Sequence, residues 1–213
     1  MSTSLLDVSD VTLSFGGLKS LDTVKFDVQQ GEILAVIGPN GAGKTSLFNC
    51  LTGVYIPQEG AVTLHRDGSG HSILGEKPHK VNRLGIARTF QNIRLFPALT
   101  ALENVIIGVE SGQKGGPIGA MIRTPRTRRE QTDARQKAAD LLRFVDLEAK
   151  ANNLAAALSY GEQRRLEIAR ALATDPTLLL LDEPAAGTNP SEKLDLQTLI
   201  RAIRDRDFTV VLI

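Results

Sequence analysis

The apolar run Ile33-Leu34-Ala35-Val36-Ile37 leads directly into Gly38-Pro39-Asn40-Gly41-Ala42-Gly43-Lys44-Thr45, and this junction restricts the chain more than any other stretch. It fits G-x-x-x-x-G-K-[ST] in the order of strand, glycine loop and helix that a phosphate-binding loop requires. Glycines let successive backbone N–H groups turn inward around an anion, and a helix starting near Gly43 aims its positive end at the same point. Lys44 then reaches the β- and γ-phosphates of a nucleotide. Thr45 offers its hydroxyl to Mg²⁺, a hard cation that prefers oxygen. The predicted nucleotide-binding set is Gly38, Pro39, Asn40, Gly41, Ala42, Gly43, Lys44, Thr45 and the following Ser46.

At 213 residues the chain is long enough for one large domain, or one domain with an inserted lobe. Lys and Arg (25) balance Asp and Glu (24), so net charge makes no case for nucleic acid. Cys50 is the only cysteine. No internal disulfide can form, and a reducing compartment is expected. The first residues lack a basic stretch followed by an apolar one, and no run reaches the ~18 apolar residues of a membrane span. The expectation is a cytoplasmic chain that could still dock on a membrane protein.

Short apolar stretches at Leu5–Val8, Val11–Phe15 and Val24–Val28 alternate with polar residues and read as half-solvated antiparallel strands. The helix after Lys44 closes at Thr52-Gly53, and a turn over Pro57–Gly60 leads into Ala61–Leu64. From His65 to His79 the chain is polar and glycine-rich, which predicts a surface hairpin or loop. Its histidines, His65, His71 and His79, read as solvated and not as metal ligands. Ile86–Gln91 reads as a strand ending in polar Gln91, followed by a helix over about 100–109. Residues 111–127 read as a flexible connection, with Arg123, Arg126, Arg128 and Arg129 as a solvated basic helix start. A helical period then runs from Arg128 to Val145.

Ser159 with Glu162 three residues on is a capping box that opens another helix. Leu178-Leu179-Leu180-Leu181 is a short continuous apolar run, hence a strand buried on both faces of a parallel sheet. It delivers Asp182 and Glu183 at its carboxyl end. Beside a phosphate loop, such an aspartate holds Mg²⁺ and the adjacent glutamate positions or deprotonates an attacking water. A helix over about 190–204 leads to a last apolar run, Phe208–Ile213. Strands alternating with helices predict a mainly parallel α/β sheet carrying two appendages.

The glycine loop, Gln91, Leu158-Ser159-Tyr160-Gly161-Glu162-Gln163 and Leu178–Pro184 stand in the order and spacing of an ATP-binding cassette (ABC) transporter ATPase, which the whole chain resembles. The Leu-Ser-x-Gly-x-Gln signature separates this family from other phosphate-loop proteins. Within it, Phe15-Gly16-Gly17-Leu18, Phe48–Gly53, Arg88-Thr89-Phe90-Gln91, Arg94-Leu95-Phe96, Gln163–Arg170, Pro184–Gly187 and the insertion through Thr124-Pro125 and Arg128-Arg129 resemble the ATP-binding subunit of the high-affinity branched-chain amino-acid importer.

This resemblance implies a phosphate-loop ABC ATPase fold, an α/β core with an N-terminal antiparallel β subdomain and a helical signature subdomain. The core and antiparallel lobe would take about 1–90 and 175–213, and the helical part about 91–174. ATP and Mg²⁺ are the implied cofactors. Phe15 matches the aromatic that stacks on adenine. Gln91 matches the glutamine that touches Mg²⁺ and the attacking water, making Glu183 and Gln91 the catalytic pair and Thr45, Gln91 and Asp182 the metal set. Ser159 and Gly161, with Glu162 beside them, match signature positions that bind the γ-phosphate held by an opposite subunit, so two sites form when two subunits sandwich two ATPs.

Implied partners are a second ATPase subunit, two membrane permease subunits and, indirectly, a periplasmic substrate-binding protein, with no nucleic acid. The implied place is the cytoplasmic face of the inner membrane. Two features depart from the family. Thr188 stands in Ala186-Gly187-Thr188-Asn189 where the amino-acid branch usually has leucine. The family also continues beyond the last strand with a switch histidine and a C-terminal lobe. The expectation is therefore a truncated chain that hydrolyses ATP weakly and exposes Phe208–Ile213 as an unfinished, aggregation-prone strand. Rival readings are an ABC ATPase for urea, amides or a lipid, a non-transport ABC ATPase acting on nucleic acid, and a phosphate-loop kinase, which would leave Leu158–Gln163 without a purpose.

Overall fold

The computed structural model describes residues 4–112 and 125–213. In chain order the elements are β1 (Ser4–Phe15), β2 (Leu18–Gln29), β3 (Ile33–Ala35), α1 (Lys44–Leu51), β4 (Glu59–Arg66), β5 (Ser69–Ser72), α2 (Pro78–Leu84), β6 (Ile86–Arg88), α3 (Ala101–Gly112), α4 (Pro125–Phe144), α5 (Tyr160–Leu172), β7 (Leu178–Leu181), α6 (Pro190–Arg204) and β8 (Thr209–Leu212). By their contacts these residues fall into two compact units. One holds Met1–Arg88, Thr177–Pro184 and Ile200–Ile213, the other Thr89–Pro176 and Ala185–Leu199.

The first unit contains two sheets. The apolar stretches before residue 30 fuse into two twelve-residue strands, and the antiparallel sheet runs β2-β1-β4-β5. The pairing of β1 slips between Val8 and Val11, where Asp10 adopts a φ of 52°, so one bulged strand reads in sequence as two shorter ones. The second sheet is parallel, in the order β3-β8-β7-β6. All four leucines of β7 are fully buried, each worth roughly 1.5–3 kcal/mol in transfer from water. Leu47, Phe48, Cys50 and Leu51 of α1 pack into the same core as Leu178, Leu180 and Val211.

One expectation is corrected here, and a second in part. β8 is not an exposed, unfinished strand. It lies between β3 and β7, bonded on both sides, with Val210 and Val211 at zero exposure, because crossover connections return this late segment to the middle of the sheet. Of residues 65–79, the expected surface hairpin is there, β4 and β5 pairing antiparallel with His65 opposite Gly70, but the stretch ends in a helix that its polarity did not suggest. His65 belongs to β4 and His71 to β5, while His79 lies in α2, a short helix with Pro78 at its start and Gly85 closing it at a φ of 110°. His65 is not merely solvated, since its Nε2 lies 2.6 Å from Asp7 Oδ2.

In the second unit, α3, α4 and α5 pack on one another. Val105 and Val109 of α3, Ala138 and Leu142 of α4, and Leu166, Ile168 and Ala169 of α5 form the buried faces. The α4 period fits the expected 128–145 helix with an earlier start. Of the predicted flexible connection over 111–127, residues 113–124, including Arg123, lie outside the described residues, as do the side chains of Arg126 and Arg128; Arg129 is exposed. No helix among the described residues is long and apolar enough to cross a membrane.

Candidate nucleotide site

The glycine loop follows β3 and opens α1 as the motif requires. Gly43 is the residue before the helix, at a φ of 81°, and a Cβ there would stand 2.2 Å from the Ser20 carbonyl oxygen of β2. Only glycine satisfies both the left-handed backbone and the close approach. Ser20 also donates from its Oγ to Ser46 Oγ at 2.8 Å, so the loop and the first turn of α1 are seated on β2. Lys44 folds back over the loop, its Nζ donating to the Gly38 and Pro39 carbonyls at 2.7 and 2.9 Å.

No side chain caps the N-terminus of α1 and no acidic residue stands in its first turn. Its positive end is thus left for an external anion. The exposed Thr45 hydroxyl and the Asp182 carboxylate are hard oxygen donors, the kind Mg²⁺ takes. Among the described residues no group of three or more His, Cys, Asp or Glu could hold a metal unaided. These residues fit an ion that arrives with phosphate oxygens.

Asp182 and Glu183 follow β7. Asp182 is 2% exposed, and Arg88 at the end of β6 donates from Nη2 to its Oδ2 at 2.6 Å. The same guanidinium donates through Nη1 to Asn49 Oδ1 and Thr52 Oγ1 at 2.7 and 3.3 Å and lies 5.6 Å from the centre of the Phe48 ring. Arg88 therefore ties α1 to the carboxyl ends of two strands. Glu183 is half-buried with a φ of 44°.

Phe15, at the end of β1, is 47% exposed and so is not a core residue. Its ring meets Tyr55 edge-on, with centroids 5.2 Å apart. Gln58 secures that meeting by exchanging hydrogen bonds with the Ser14 backbone at 2.9 and 3.2 Å. Phe15, the glycine loop, Ser46, Asp182 and Glu183 belong to the first unit, whereas Gln91, Ser159, Gly161 and Glu162 belong to the second.

In the second unit the capping box of α5 is complete. Glu162 N–H donates to Ser159 Oγ at 3.4 Å, and Ser159 N–H donates to Glu162 Oε2 at 2.9 Å. Lys150 bonds the other Glu162 oxygen. That ammonium first, and the Ser159 N–H second, hold the Glu162 carboxyl below the usual range. Gly161 passes so close to Glu192 that an added Cβ would stand 2.9 Å from its Oε1. Glu192 is itself held by Asn189 N–H at 2.9 Å, at the start of α6. Gln91 is exposed, and its carbonyl accepts from Arg164 Nη2 at 2.9 Å.

Tyr55 and Glu192 escaped the sequence reading, while Arg88, Arg164 and Glu167 entered it only inside stretches that carry the resemblance, with no role given to them. Arg88 meets Asp182 from 94 positions away, and Arg164 and Glu167, an Arg-x-x-Glu pair on α5, meet the backbone of Phe90 from more than 70.

The profile of the family described as ABC transporter matches residues 21–186. The chain is 45% identical, over its whole length and 82% of the relative, to the high-affinity branched-chain amino acid transport ATP-binding protein BraF of Pseudomonas aeruginosa. It is 43% identical, with the same coverage, to LivG of Escherichia coli K12, which carries the same description. Among solved structures it is similar to the ADP conformation of MJ1267, an ATP-binding cassette of an ABC transporter, with a TM-score of 0.82 and 29% identity over 99% of this chain and 81% of that one. A dimeric post-hydrolysis state of the cassette MJ0796, bound to ADP and Pi, matches with a TM-score of 0.76 and 27% identity over 98% of this chain and 87% of that one. By that match and those identities, with a phosphate loop and an acidic strand end in the first unit and a capped Leu-Ser-x-Gly-x-Gln helix in the second, this chain belongs to the ABC transporter family, as one of its ATP-binding cassettes, an ATPase.

Proposed function

We propose that this chain is the ATP-hydrolysing subunit of an importer of branched-chain amino acids, acting on the cytoplasmic face of the membrane as one of two cassettes beneath two permease subunits fed by a binding protein. The observation that supports the cargo most is identity of 43–45% along the entire chain to two proteins described for that transport. These names favour the amino-acid branch over urea, amide or lipid cargo.

Lys44, the loop N–H groups and the N-terminus of α1 bind and orient the phosphates, and Phe15 with Tyr55 offers an aromatic edge to the base. Thr45, Asp182 and Gln91 would hold Mg²⁺, which, when bound, neutralises charge on the β- and γ-phosphates. Glu183 accepts a proton from, or orients, the attacking water. Ser159 and Gly161 present the N-terminus of α5 to the γ-phosphate of the facing subunit, as in a head-to-tail dimer.

The test is Glu183→Gln, examined by light scattering after size exclusion with ATP and Mg²⁺. A stable ATP-dependent dimer without turnover is expected, and unchanged turnover overturns the assignment. Cargo is tested by leucine uptake into membrane vesicles that depend on this chain. Uptake should vanish with Lys44→Ala, and uptake that persists removes the substrate reading.

A further inference from the structure

Arg164 is the largest fully buried side chain among the described residues, at 1% exposure, and neither the loop chemistry nor the signature requires a guanidinium there. Its Nη1 donates to the Phe90 carbonyl at 2.7 Å and to Glu167 Oε2 at 3.0 Å. Its Nη2 donates to the Gln91 carbonyl at 2.9 Å and to the Tyr160 hydroxyl at 3.0 Å. Glu167, 2% exposed, completes the grip from the other side. Its Oε1 accepts from the backbone N–H groups of Phe90 and Arg94 at 3.3 and 3.2 Å. Two side chains one turn apart on one helix thus hold the carbonyls of Phe90 and Gln91 and the N–H groups of Phe90 and Arg94.

Stability alone does not account for this arrangement. A buried ion pair is commonly replaceable by apolar residues of similar volume at no loss of stability. Here Arg164 Nε is in addition buried with no hydrogen-bond partner among the described residues, and burial pushes the Glu167 carboxyl up despite its N–H and arginine neighbours. What the pair supplies is geometry: a planar fork with a fixed spread of donors, seated on a rigid helix, reaching the backbone of a residue in an otherwise irregular segment.

We infer that Arg164, backed by Glu167, is a positioning residue that sets where Gln91 stands and ties it to Tyr160 of the signature turn. The inference rests on the role given to Gln91 under the proposed function. Misplacement of a catalytic group by about 1 Å can cost about 100-fold in rate, so releasing this grip acts on turnover and not on nucleotide affinity, which lies with the phosphate loop.

The experiment compares wild type, Gln91→Ala and the double variant Arg164→Met/Glu167→Leu for thermal stability, affinity for a fluorescent ATP analogue, kcat, KM and hydrogen exchange over residues 89–95. The double variant should melt within a few degrees of wild type and bind the analogue within about twofold, while kcat drops about 10- to 100-fold and exchange over 89–95 accelerates. A folded double variant with wild-type kcat, beside a Gln91→Ala that is slow, overturns the positioning role. If Gln91→Ala itself turns over normally, the role of Gln91 fails instead; exchange then decides the grip, and unchanged protection over 89–95 overturns it. Should the double variant not fold, Arg164→Lys replaces it. The ammonium keeps the charge but lacks the fork, so the same slower kcat and faster exchange are expected, and their absence overturns the inference.

Discussion

Arg88 Nη2 and Asp182 Oδ2 stand 2.6 Å apart with both side chains nearly sealed from solvent, at 6% and 2% exposure. The aspartate at the end of β7, to which the proposed function gives the Mg²⁺, is therefore carried into the interior together with its counter-charge. Removing one partner of such a pair leaves the other charge buried, at a cost of about 3–5 kcal/mol. Arg88→Met should lower the unfolding free energy from urea titration by that amount, and Arg88→Met/Asp182→Leu should recover much of the loss while remaining inactive. Denaturant titrations of both variants check this; a single variant as stable as wild type removes the pair from the stability account.

Glu183 has a left-handed backbone, with a φ of 44°. Seven non-glycine residues show positive φ among the described residues, and five of them are aspartates, which tolerate it; Glu183 is not of that kind. The strain is worth roughly 1–2 kcal/mol, of which glycine would give back part as unfolded-chain entropy. Glu183→Gly should gain about 0.5–1 kcal/mol in stability and lose about 100- to 10,000-fold in turnover. Paired melts and ATPase assays test the opposition of the two effects, and a destabilised variant would show that the backbone there is not strained.

Cys50 is fully buried in α1, and burial pushes its thiol up to about 11. At pH 8 only about one molecule in a thousand carries the thiolate that reacts. Native protein should resist iodoacetamide for hours and label completely in guanidinium chloride. Mass spectrometry of both samples decides it, rapid native labelling being the contrary result.

Asp7 accepts from Ser4 Oγ at 2.6 Å and faces His65 Nε2 at 2.6 Å, and the Ser4 bond, with the His65 contact, holds its carboxyl below the ordinary 3.8. Because the folded value is depressed, the unfolded chain binds more protons in the window between that value and 3.8. The stabilisation is present above 3.8 and is lost as pH falls through the lower, folded value. The Tm advantage of wild type over Asp7→Asn should thus be full at pH 6 and shrink toward pH 3. A difference that stays constant across this range would falsify the linkage.

Local pattern carried much of the architecture. Leu178–Leu181 could be read as a two-face-buried strand because nothing polar interrupts it, and Ser159 with Glu162 as a helix start because their bonds span three residues. Polarity and glycine marked the hairpin of β4 and β5 but misled at its end, where Pro78 begins a helix, and gave no sign that His65 finds Asp7 58 positions away. The Phe15 ring could be singled out, but its edge-on neighbour Tyr55 could not, since Gln58 brings the two together through the Ser14 backbone.

The sequence by itself determined the phosphate loop, the acidic strand end and the signature cap, because each depends on residues within a few positions of one another. The tertiary structure alone decided that β8 lies inside the sheet, that Arg88 accompanies Asp182 into the core, and that Arg164 and Glu167 hold the backbone of Gln91. Those are bonds and burials between segments about 70 to 180 residues apart, and the free energy that selects them comes from packing and desolvation, which no local spacing encodes.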